Sequence, residues 1–121
     1  MTCEKIEING VTYVKADAQY ATCDGLNFVI CRSYGAGVFA GYLVSDEIKE
    51  GVRTVILNKC IRLHRWTGCS LSQVANDGVA GSGENRFSMP TNRHSISGVI
   101  EVIPATEKAC KNIYEVKTWK L

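Results

Sequence analysis

The segment from residue 52 to residue 66 constrains the fold most, because its residues alternate as a long β-strand requires. A two-residue period gives this strand one apolar side, which we expect to face the core. That side carries Val55, Leu57, Ile61 and Leu63. The chain is therefore expected to build its core against a β-sheet.

The opposite side of the same strand carries Arg62, His64 and Trp66. These side chains place a cation, a titratable donor and an aromatic plate in one row, which is the outline of a binding surface. A solvated face, with Trp66 capping a neighbouring subunit, is an equally good interpretation of the strand alone.

Other strands are predicted on both sides of this one. The segments 5–8 and 11–15 flank Asn9-Gly10, the dipeptide best suited to a tight hairpin turn. The segments 26–34 and 38–44, on either side of Gly35-Ala36-Gly37, are rich in β-branched and aromatic residues, and 98–103 is extended up to Pro104.

Two short helices are predicted from their capping residues. Ser70 with Gln73 has the form of a capping box, and this helix is expected to end at Gly78. Thr106 is expected to cap a second helix that turns Ala109, Cys110, Ile113 and Tyr114 toward the core. The first helix start, beside an arginine-bearing strand end, suits a phosphate, although ordinary capped helices are at least as common.

These elements predict an α+β fold: a small antiparallel β-sheet domain with two short helices. The 121 residues are expected to form a single domain, 1–121, with the hairpin at about 5–15 as an accessory element. A core of this size is modest, so we expect further apolar surface to be buried by oligomer formation.

Charge and cysteine content narrow the class of protein. A net charge of +2 is too mild to indicate a nucleic-acid protein, and the absence of a signal or apolar span predicts a cytosolic protein with no membrane partner. The six cysteines are expected to be free thiols. With only two histidines and no C-x-x-C pair, neither a metal nor another cofactor is predicted.

Arginines are concentrated in one part of the chain. Five of the six, all but Arg32, fall between residues 53 and 93, and the segment 79–95 reads as a long loop with one extended piece. A planar guanidinium can donate two parallel hydrogen bonds to a phosphate. The concentration of arginines in this segment therefore favours a small anionic ligand.

Several motifs together resemble a small phage and prophage family. They are VICRSYGAGVFAGYL at 29–43, RWTGCSLSQ at 65–73, VIEVI at 99–103 followed by TEKA at 106–109, and Trp119 near the carboxyl terminus. The family is similar to the phage anti-Thoeris sponge proteins, which sequester cyclic nucleotide immune signals without cleaving them.

The resemblance implies a homo-oligomer, a hexamer built from dimers, acting in the host bacterial cytosol. It implies pockets between subunits for a cyclic ADP-ribose isomer and, in some members, separate pockets for cyclic oligonucleotides. The hairpin at 5–15 matches the family signature poorly.

The residue pattern and the resemblance together suggest a set of ligand-binding residues. Trp66 or Phe87 is assigned to base stacking, and Asn92 to a base or ribose edge. The phosphate is assigned to Arg62, Arg65, Arg93, the helix start at Ser70, and Lys108 from a neighbouring subunit.

Three other classes of protein remain open. A signal-cleaving phosphodiesterase or Cys-His hydrolase would also need a basic, aromatic pocket, but Asp77 and Glu84 are the only carboxylates between residues 53 and 94, so no catalytic residue is predicted. A nucleic-acid-binding module is disfavoured by the low net charge. A structural phage protein is the third.

Overall fold

A computed structural model describes residues 22–23, 25–67, 69–80 and 84–119, together with the backbone of residues 5–8 and 11–14. The described residues form nine strands: β1 (Lys5–Ile8), β2 (Val11–Val14), β3 (Thr22–Cys23), β4 (Leu26–Ser33), β5 (Gly37–Lys49), β6 (Val52–Arg65), β7 (Arg86–Phe87), β8 (Thr91–Ser97) and β9 (Val99–Pro104). The same ranges contain two helices, α1 (Leu71–Asp77) and α2 (Glu107–Glu115).

All the strand pairs are antiparallel. The main sheet runs β3-β4-β5-β6-β7, with β9 also paired to β4 and β8 also paired to β6. In a separate two-stranded sheet, β1 pairs with β2 with Ile8 opposite Val11, as the predicted hairpin requires. Asn9 and Gly10 themselves lie outside the described residues. The predicted α+β class is confirmed at this level.

Both helix caps are confirmed. The Ser70 hydroxyl accepts from the Gln73 amide at 3.3 Å, and Gly78 ends α1. The Thr106 hydroxyl accepts from the Ala109 amide at 3.1 Å, which opens α2. Each hydroxyl satisfies a backbone donor that has no partner within its helix.

The sheet packs apolar residues on both of its faces. The helices cover one face, here the helix face, which includes Phe28, Ile30, Ile61 and Leu63. The other face, here the far face, buries a second cluster: Val29, Cys31, Phe39, Val55, Leu57, Cys60, Ile96 and Val99. The alternation along β4 divides its residues between the two clusters.

The predicted apolar side of β6 is wrong, because the strand bulges in its middle. Ala40 pairs with Ile61 but Tyr42 pairs with Asn58, so Gly41 alone stands opposite two residues of β6. Lys59, in this bulge, has a φ of 51°. The extra residue reverses the alternation. Val55 and Leu57 therefore face the far side, whereas Ile61 and Leu63 face the helices.

The segment predicted as a long loop is partly sheet. Its carboxyl-terminal part forms β8, which pairs with β6 from Thr91 opposite Cys60 to Ser97 opposite Thr54. The prediction allowed one extended piece here, whereas two strands, β7 and β8, are present, and the polar residues Asn92, Arg93 and Ser95 gave no apolar alternation to mark β8. These residues are exposed on a strand at the sheet edge, where an apolar side chain is not required.

Candidate ligand-binding surface

Arg62 lies on the far face, directly opposite Phe39 in the register of β5 and β6. Its guanidinium carbon is 4.7 Å from the centre of the Phe39 ring, and one of its nitrogens donates to the Ala36 carbonyl at 3.3 Å. The His94 ring centre is 5.2 Å from that of Phe39. Among the described residues no carboxylate pairs with Arg62, so its charge is open to an anion.

His64 comes two residues after Arg62 on β6, where the register with β7 shifts between Leu63 and Arg65. Its imidazole stacks on the Trp119 indole with ring centres 5.6 Å apart and planes 3° apart. The Arg86 guanidinium carbon is 5.2 Å from the centre of the same indole. We call Arg62, His64, Arg86 and Trp119 the basic aromatic surface.

Trp119 is held at this surface by backbone contacts. Its amide donates to the Phe87 carbonyl at 2.9 Å, and Thr118 forms a parallel bridge with Phe87. The terminal segment therefore lies along β7 and carries the indole to His64 on β6. Residues 120–121 lie outside the described part.

A cleft adjoins the basic aromatic surface. It has a volume of about 610 Å³ and is lined by Asn85, Lys117, Thr118 and Trp119. Such a volume suits a small-molecule ligand. The lining offers an amide, an ammonium, a hydroxyl and an indole, which can serve a phosphate, a sugar and a flat base.

Only one carboxylate is seen beside these cations in the described chain. Glu84 contacts Arg86 at 2.9 Å and Arg65 at 3.8 Å. Both pairs are solvent-exposed, so they hold the guanidinium groups in position more than they stabilise the fold. Arg65, which is predicted to bind phosphate, thus shares the Glu84 carboxylate with Arg86 and already has an anionic partner.

Three predicted site residues have structural roles. Trp66 is half-buried against the helix-face core and donates from Nε1 to the Cys69 carbonyl at 2.9 Å. It leaves the predicted row because β6 ends at Arg65. Phe87 is 1% exposed and packs in the core, so its ring is covered. The Ser70 hydroxyl is occupied as the α1 cap.

Two of the remaining predicted residues, Arg93 and Lys108, lie apart from Arg62. Arg93 pairs with Asn58, one position from the Leu57–His94 pair, so it projects on the face opposite to His94. Asn92 is exposed beside it on β8. Lys108, on α2, has its ammonium 3.5 Å from the Asp77 carboxylate. One protomer therefore does not bring all the predicted residues into one pocket.

The structure also adds residues that the sequence prediction did not assign to a ligand. Trp119, Arg86, Lys117 and Asn85 come from β7 and the terminal segment, which meet only through tertiary contacts. Arg86 belongs to the group of arginines between residues 53 and 93, which is the sequence signal that could have assigned it to the site. Nothing local in the sequence indicates that Trp119 reaches β6.

The buried cysteines are poor nucleophiles. Burial raises the pKa of Cys31 and of Cys60 to about 12, and it also raises the pKa of Cys110. These groups therefore stay protonated at neutral pH, whereas attack requires the thiolate. Within the described ranges no disulfide forms and no three metal-ligating side chains cluster. No described helix is long and apolar enough to span a membrane.

Residues 26–113 match a protein family described as Domain of unknown function (DUF6948). The match covers most of the chain, from β4 into α2, and the chain belongs to this family. No curated protein and no solved structure matches it. Trp119 and the hairpin of β1 and β2 lie outside the matched segment.

Proposed function

We propose that the protein binds a small anionic nucleotide at the basic aromatic surface and holds it without cleaving it. The observation that carries the proposal is Arg62, an exposed guanidinium with no carboxylate partner among the described residues, two positions along β6 from His64, which stacks on Trp119. A nucleotide needs both elements, because its phosphate binds a guanidinium and its base stacks on an aromatic ring.

The guanidinium of Arg62 is already oriented for such a ligand. The contact with Phe39 and the hydrogen bond to Ala36 restrict its position, so less side-chain freedom is lost when a phosphate binds. Arg86 adds positive charge over the Trp119 ring, and Lys117 adds positive charge in the cleft. The Glu84 carboxylate offsets part of this charge. The surface therefore favours an anion.

Sequestration is favoured over cleavage by the chemistry of the surface. A phosphodiesterase needs a metal centre or a paired acid and base, and a Cys-His hydrolase needs a thiolate. Glu84, the carboxylate that contacts Arg86, also contacts Arg65, and burial holds Cys31 and Cys60 as thiols. These features support a protein that retains its ligand intact.

A second copy of the chain would complete the pocket in this proposal. Arg93 and Lys108 project away from Arg62 in one protomer, so they reach the same ligand only from a neighbouring subunit. The resemblance to anti-Thoeris sponge proteins supports this arrangement, and it supports a phage anti-defence role in the host cytosol. The proposed ligands are cyclic ADP-ribose isomers and cyclic oligonucleotides.

Titration calorimetry with Arg62 variants tests the binding surface. The panel contains cyclic ADP-ribose isomers, cyclic dinucleotides, cyclic trinucleotides and AMP. Arg62→Ala should weaken binding of the ligand that binds best by about 1.5 to 3 kcal/mol, roughly tenfold to a hundredfold or slightly more. Arg62→Lys should recover only part of this loss, because an ammonium cannot form the bidentate contact.

Arg32→Ala is the matched control, since Arg32 is also exposed on the sheet but pairs with Glu101 at 3.1 Å. Its affinity should equal that of the wild type. All variants should keep the melting temperature, because both arginines are exposed. Unchanged affinity in Arg62→Ala would remove this surface from the ligand site.

A further inference from the structure

The Asn85 side chain is fixed in an orientation that leaves its oxygen unused. Its amide nitrogen donates to the Ala80 carbonyl at 2.9 Å. Its Oδ1 atom is buried and accepts no hydrogen bond, and it is the only buried side-chain oxygen or nitrogen without a partner in the described part of the chain. Exchanging the two amide atoms would set Oδ1 against the Ala80 oxygen, so the assignment is determined by the contact.

The unpaired Oδ1 of Asn85 would be stabilised by a hydrogen-bond donor. Folded proteins pair nearly all of their buried polar atoms, and each exception needs an explanation. Asn85 lines the same cleft as Trp119, Lys117 and Thr118. A ligand in this cleft can therefore supply the donor that the chain itself does not.

We infer that Asn85 accepts a hydrogen bond from the exocyclic amine of a nucleobase that stacks on Trp119. The inference rests on the proposed function and adds to it the class of base. Trp119 is 41% exposed and contributes part of the cleft wall, so a flat ring can lie against the indole. The adjacent Lys117 can meet a phosphate of the same ligand.

The geometry selects a base by its edge. Adenine, cytosine and guanine each carry an exocyclic amine, at C6, C4 and C2, whereas a carbonyl oxygen set against Oδ1 would be repelled. Bulk water does not reach this oxygen, so an amine does not compete with water for it. Because Oδ1 is covered in the free chain, the base reaches it only when the wall of the cleft shifts as the base enters.

Titration calorimetry with two nucleotides tests the inference on the full chain. The probes are AMP and purine riboside 5′-monophosphate, which lacks only the amine. The wild type should bind AMP about tenfold more tightly, since losing one partner of a buried acceptor costs about that much affinity. In Asn85→Ala the two affinities should agree within about twofold, because the acceptor is gone.

Asn76→Ala is the matched control, an exposed asparagine on α1 that should keep the tenfold preference. If Asn85→Ala does not fold, the comparison of the two probes on the wild type decides alone. Equal affinity of the wild type for both probes, or failure of both to bind while a cyclic nucleotide binds, overturns the Asn85 inference and leaves the proposed function standing. Failure of every nucleotide to bind overturns both.

Discussion

The two tryptophans of the chain have opposite roles. Trp66 directly follows β6 and has His64 and Arg65 before it, so the local sequence favours it as a stacking residue. Its indole nevertheless packs toward the helix-face core. Trp119 stands in a segment without a local signal, yet it is 41% exposed against His64 and Arg86. At this scale the sequence predicts the residue types of the site better than their positions.

Trp119→Ala should weaken nucleotide binding by about tenfold or more, because a base stacked on an aromatic ring contributes about 1 to 3 kcal/mol. Titration calorimetry measures the loss, and circular dichroism checks that the variant is folded. Tyr34→Ala is the control, since Tyr34 is 91% exposed in the turn between β4 and β5. An equal loss in both variants would contradict a specific role for Trp119.

Among the elements, β6 determines where the site lies. A regular alternation from Val55 would have placed Arg62 on the helix face, whereas the bulge at Lys59 turns it to the far face beside Phe39. The sequence predicted the strand from its two-residue alternation and both helices from their caps. It did not predict the bulge, because the close approach of β5 and β6 that accommodates it depends on Gly41 in another strand.

Gly41→Ala should destabilise the protein by about 1 to 3 kcal/mol, as overpacking in a core does. An added Cβ would lie 2.9 Å from the Asn58 carbonyl oxygen and 3.2 Å from the Cys60 Cα, and neither backbone atom can move freely. Urea unfolding measures the change. Gly35→Ala is the control, with nothing within 4 Å of the added carbon, and it should stay within about 0.5 kcal/mol of the wild type.

For the whole molecule, the distribution of the predicted ligand residues favours assembly. Arg62 and Arg93 lie on opposite faces of the sheet, and Lys108 lies on α2. Large apolar side chains are also exposed: Tyr34, Ile48, Val52, Met89 and Ile100. The sequence suggested assembly through its small core and its family resemblance, but the faces on which these residues lie follow only from the strand register.

Light scattering should therefore report a homo-oligomer at micromolar concentration, with a mass near that of a hexamer of the 13.3 kDa chain. Apolar surface buried between subunits would supplement the small core of each protomer. A monodisperse monomer, both with and without ligand, would contradict the pocket shared between subunits.

The central claim is that the protein retains a nucleotide without altering it. The direct measurement is to incubate the protein with the same nucleotide panel, remove free ligand, denature the protein with heat and analyse the released molecules by mass. We expect release of an unchanged nucleotide in an amount no greater than the protein can bind at its sites, because Glu84 pairs with arginines and burial holds Cys31 and Cys60 as thiols. A linearised or hydrolysed product in molar excess over the protein would contradict sequestration and favour an enzyme.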